Sequence, residues 1–170
     1  ALVSGSTVNL GSLTTTGNLT VTAGGAVTQS AALVIGGTAT IAASGYNVTL
    51  NEPTNNFQGA VGITGAVVSV VDAGAIILGA STVSGTYAVT ATAGGGITDS
   101  GVLAITGAST LTVAGGQSII LDQSSTFSST VAFASSGGGA IAAVEITDSN
   151  ALALGAITTT GNLTVTAGGA

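Results

Sequence analysis

The chain has 170 residues, of which only six are charged, all of them acidic, and it contains no Lys, Arg, His, Cys, Met or Trp. Ordinary domains are about one quarter charged, so 4% charge beside 45% hydrophobic residues argues against intrinsic disorder, and the lack of Lys and Arg excludes nucleic-acid binding and argues against anionic lipid surfaces. Without Cys or His, disulfides, zinc sites and Cys/His nucleophilic chemistry are excluded too.

In chain order, the first clear strand signal is Leu19-Thr20-Val21-Thr22-Ala23, where apolar and small or hydroxyl residues alternate with a period of two. Comparable runs follow at 39–43 (ATIAA), 61–64 (VGIT) and 87–93 (YAVTATA), and again at Thr110-Leu111-Thr112-Val113. Residues 60–80 have the length and apolarity of a membrane helix, but Asp72 and four glycines lie inside them, and a buried charge is costly in lipid; strands are the reading here as well. Gly-rich joints at 24–25, 36–37, 44–45 and 94–96 are expected to turn the chain through positive φ. No segment has helical spacing.

Residues 14–26, TTTGNLTVTAGGA, return letter for letter at 158–170, a period of 144 (158 − 14). Each period holds two diverged halves: Leu33 and Ile35 match Leu103 and Ile105, Leu50 matches Leu121, Phe57 matches Phe127, and Asp72 matches Asp148. Strand signals spaced roughly 20 to 26 residues apart fit one coil of a solenoid. The expected fold is therefore all-β, a right-handed parallel β-solenoid with roughly three coils per half, six per 144-residue period and seven in the chain. Residues 1–170 are read as one continuous segment of a longer repeat array, with Phe57 and Phe127 at a corner of the core. Stacked like charges repel, which accounts for a sequence built from Ala, Val, Ile, Ser, Thr and Asn.

The phrases TTTGNLTVTAGGAVTQS (14–30) and LNEPTNNFQGAV (50–61) resemble the β-strand-rich repeats of very large bacterial surface and secreted proteins, similar to filamentous-haemagglutinin-type passengers and autotransporter adhesins. The resemblance spans essentially the whole chain and carries no catalytic residues with it. It implies an extracellular or cell-surface location and a structural role, as a segment of a fibre or surface filament that associates with itself head-to-tail and laterally. The alternative it implies is the stalk of an adhesin that binds cells or glycans through modules elsewhere.

Specific chemistries have few candidates. Glu145 and Asp148 are the nearest pair of acids, and a carboxylate pair is the requirement of a glycoside hydrolase, yet solvated turn acids explain them more simply. Asp72, Asp148 and Asn150 offer oxygen ligands for calcium, but their spacing fits no calcium loop, and turn-capping by Asp and Asn is the preferred account. Gly94-Gly95-Gly96 and Gly137-Gly138-Gly139 lack the Lys and the helix of a phosphate loop. Asn18, Asn47 and Asn162 begin glycosylation sequons. Thr20/Thr22, Thr38/Thr40, Thr90/Thr92, Thr110/Thr112 and Thr164/Thr166 form Thr-x-Thr pairs like those of ice-binding faces, although exposed strands favour threonine in any case. No catalytic, cofactor or metal site is assigned, and the expected partner is a second copy of the chain.

Overall fold

A computed structural model describes residues 1–169; Ala170, the last residue of the repeated stretch, lies outside them. Among the described residues every regular element is a β-strand, 22 in all, and every strand pairing is parallel. The strands fall into an eleven-stranded, an eight-stranded and a three-stranded sheet, which together wall a β-solenoid; the eleven-stranded sheet turns a corner, since Ile76–Leu78 and Ser81–Val83 follow each other in one coil and both pair with Val61–Gly65. The stretch 60–80 contributes the strands Val61–Gly65, Val68–Asp72 and Ile76–Leu78, and among the described residues no helix is long and apolar enough to cross a membrane.

The eight-stranded sheet gives the cleanest count of coils. Its register runs Val8, Val27, Val48, Val68, Tyr87, Ser109, Val131 and Leu154, each directly over the last. The step from Val8 to Val27 is among the shortest and that from Val131 to Leu154 the longest, and the chain makes eight levels. On the eleven-stranded sheet, Leu19–Ala23 reaches its repeat Leu163–Ala167 through strands beginning at Ala39, Val61, Ile76, Ile97, Ile119 and Val144. That is seven steps per period, one more than the sequence spacing suggests. The difference comes from the run at 87–93. Tyr87–Ala91 lies in the eight-stranded sheet, whereas the strands at 19, 39 and 61 lie in the eleven-stranded one, so its distance from them is not a whole coil.

Seven coils per period put three and a half in each half, and matched residues therefore fall on different faces. Leu50 is in the eight-stranded sheet and Leu121 in the eleven-stranded one; Leu78 and Leu154 are placed the other way round; Asp72 and Asp148 follow Leu50 and Leu121. The two halves are related by a rise combined with half a coil of rotation.

Alternation decides which side chains enter the lumen. Leu19, Val21 and Ala23 point inward while Thr20 and Thr22 are exposed, as a pleated strand requires. Stacked Val, Leu and Ile fill the interior, with Tyr87, Phe57 and Phe127 as its largest buried side chains. Burying each such side chain is worth about 1.5–3 kcal/mol.

The corners use glycine in two ways. Gly45 turns with φ of 78°, as its joint suggests. Gly24 does not; it is there for close approach, since a Cβ would lie 2.5 Å from the carbonyl oxygen of Gly5 in the coil below.

Candidate functional site

Side-chain chemistry in this chain concentrates where the backbone ladder is interrupted. Six polar residues are buried, namely Asn55, Asp72, Ser81, Ser109, Ser125 and Asp148. Five of them do the same thing. Each accepts a hydrogen bond from a backbone N–H in the preceding coil: Asn55 Oδ1 from Leu33 at 2.9 Å, Asp72 Oδ2 from Phe57 at 2.7 Å, Ser81 Oγ from Ile63 at 3.0 Å, Ser125 Oγ from Leu103 at 3.0 Å, and Asp148 Oδ1 from Phe127 at 3.3 Å. These oxygens stand in for ladder carbonyls, since a buried N–H left without a partner is costly.

The two matched acids share a second bond. Asp72 Oδ1 accepts from Gly74 N at 2.6 Å and Asp148 Oδ1 from Asn150 N at 3.3 Å, which makes each an Asx turn of the kind the sequence suggests. With its amide nitrogen turned inward, Asn150 also donates to Asp148 Oδ2 at 3.1 Å. Phe57 and Phe127, matched in sequence, are thus held by matched carboxylates. Burial raises the Asp72 pKa above the usual carboxylate range, and the Phe57 and Gly74 N–H groups oppose the rise. Asn55 extends the device into a small network: it exchanges two hydrogen bonds with the Gln29 amide and donates to the Leu50 and Val71 carbonyls.

Glu145 and Asp148 do not form a carboxylate pair. They share the strand Val144–Asp148, but Asp148 is buried in the lumen while Glu145 stands outward between Ile120 and Thr164. Asp72, on another face, is remote from the Asp148–Asn150 turn. Among the described residues no three acids gather into a group able to hold a metal. A different acidic pair, missed in the sequence, is Asp99 with Asp122, whose backbone N–H donates to Asp99 Oδ1 at 3.0 Å. Burial pushes the Asp99 carboxyl up to about 6; hydrogen bonds from Gln123 and Asp122 lower it and the Asp122 charge raises it further. Tyr87, also unremarked in sequence, is fully buried, which raises its phenol pKa, while a hydrogen bond with Ser81 opposes the rise.

The other sequence candidates are scattered. Gly94 and Gly137 to Gly139 are turns with positive φ. Asn18 and Asn47 accept from the Thr38 and Val67 N–H groups one coil on, and Asn162 lies just before the strand Leu163–Ala167. The Thr-x-Thr pairs divide between faces: Thr20/Thr22 and Thr164/Thr166 are on the eleven-stranded sheet, Thr110/Thr112 on the eight-stranded one. Two hollows, about 360 and 290 Å³, lie at the last and first coils and are lined chiefly by small and apolar residues such as Phe133, Ile141, Leu2 and Leu10. Neither is lined by an acidic or basic side chain.

A family model described as "Repeats of unknown function (DUF5649)" matches residues 1–64, 64–134 and 141–170. The middle match, 64–134, spans about half of one period, so the family's unit coincides with the half that makes three and a half coils. No curated protein and no solved structure matches the chain.

Proposed function

We propose a structural function for this chain, which belongs to the DUF5649 repeat family: it is a stiff segment of an extracellular bacterial fibre or surface filament. The observation that carries the reading is the parallel ladder that continues through eight levels, in which a strand sequence recurs on the same sheet after seven coils. A ladder of this kind resists bending because each level contacts its neighbours over its whole perimeter. Five of its six buried polar side chains are spent on closing the ladder. The absence of Lys and Arg leaves trypsin no site, and the absence of Cys and Met removes the readily oxidised sulfur, both suited to exposure outside a cell.

Self-assembly follows the same logic. Because Leu19–Ala23 and Leu163–Ala167 have the same sequence, one copy can continue another's ladder in an open, heterologous contact. The resemblance to adhesin passengers supports a second reading, a stalk that carries binding modules for cells or glycans. Immunogold labelling of producing cells with antibody to this chain tests the location: label on structures projecting from the envelope supports the proposal, and label confined to the cell interior ends it. Electron microscopy of the purified chain then separates the two readings, with filaments favouring the fibre and single short rods favouring the stalk.

A further inference from the structure

We infer that the outward face of the eight-stranded sheet is a contact surface for a second copy of this chain, a step that rests on the structural reading above. All the side-chain charge in the molecule is negative, so two copies can meet without repulsion only across a face from which charge is missing. The placement of the six acids leaves the eight-stranded sheet as such a face along its whole length. Asp72 and Asp148 are buried; Asp99, Asp122 and Glu145 belong to strands of the eleven-stranded sheet; Glu52 is in the loop after Leu50. None projects from the eight-stranded sheet.

What does project there is small. The ladder Ser69, Ala88, Thr110 and Ala132 runs beside the ladder Val71, Thr90, Thr112 and Ala134. Side chains of this size let two sheets approach and interdigitate at the usual separation of about 10 Å, and threonine hydroxyls that lose water can bond across the seam. The face persists through a complete seven-coil period, from Val8 to Leu154, so tandem periods extend it without a charged break.

Area sets how strong the contact is. Eight levels at about 4.8 Å by strands of about four residues cover roughly 500 Å², or about 1,000 Å² counted on both copies, the lower bound for a specific interface. This chain should therefore pair weakly, and each further period in a longer array adds a similar area.

Sedimentation of the chain over a concentration series, with Thr110→Glu and Thr82→Glu variants, tests the assignment. Thr110 and Thr82 are both exposed, on the eight- and eleven-stranded sheets respectively, and matched circular dichroism shows that each variant keeps the fold. The expected result is a reversible dimer, strengthened by salt that screens the residual repulsion, weakened at least tenfold by Thr110→Glu and unchanged by Thr82→Glu. A parent chain that stays monomeric up to about 1 mM, or a dimer that survives Thr110→Glu, or one that Thr82→Glu dissolves instead, overturns the inference. Should labelling place the chain inside the cell while Thr110→Glu still dissolves the dimer, the contact stands and the filament reading falls.

Discussion

The acids of this chain invert the usual effect of pH. In most proteins carboxylates are held below their ordinary pKa by cations, and acid removes that stabilisation. Here there are no Lys, Arg or His side chains to pair with, and burial raises both Asp72 and Asp99, the latter to about 6. Between about pH 4 and pH 6 the folded chain holds a proton on Asp99 that the unfolded chain has released. Stability is therefore greatest below the unfolded pKa, falls as pH rises through the folded one, and levels off above it. Asp99 is half-buried, so solvent screening leaves a change on the order of 1 kcal/mol. Urea denaturation at pH 4.5 and 7 should show the chain more stable at the lower pH, with Asp99→Asn reducing the difference; equal or lower stability at pH 4.5 would contradict the argument. Residue parity makes some of these inward polar groups legible in the sequence. Ser81 shares the parity of Val83, Ser125 that of Phe127, and Ser109 that of Leu111. Asn55 has no such signal, because it lies in an irregular turn after Pro53 and its burial depends on Gln29 from the coil below.

At the scale of the strand, the corner acceptors decide where one face ends and the next begins. Asp72→Ala would leave the Phe57 and Gly74 N–H groups without an acceptor, at a cost of about 2–4 kcal/mol, whereas Asp72→Asn keeps an acceptor oxygen and removes a buried charge. Hydrogen exchange should show the Phe57 amide losing protection in the alanine variant and keeping most of it in the asparagine variant; equal protection in both would mean that the carboxylate is not standing in for the ladder. The alternation Leu19 to Ala23 made the strands themselves readable, and the exact return of residues 14–26 made the solenoid readable. The face to which each strand belongs was not. A run such as 87–93 has the same period of two whichever face it occupies, and only its pairing with Val68–Asp72 and Ser109–Ala114 places it.

At the scale of the molecule, the coil count fixes a length. Seven steps of about 4.8 Å make one period roughly 34 Å tall, against roughly 29 Å for the six coils suggested by spacing alone. Aligned specimens of longer arrays should diffract with a meridional spacing of about 4.8 Å and an axial repeat of roughly 34 Å, and a repeat of roughly 29 Å would mean six coils per period instead of seven. The half-coil offset between Asp72 and Asp148 reaches further, into how such a gene can change. Recombination between similar tandem units deletes or duplicates them whole. Loss of one half-unit would turn everything downstream by half a coil, exchanging the charge-free side with the one that carries Asp99, Asp122 and Glu145. Loss of two restores every side to its place. An array that depends on which way its sides point can lengthen or shorten freely only in even steps, and the inheritance of repeat number becomes a matter of parity.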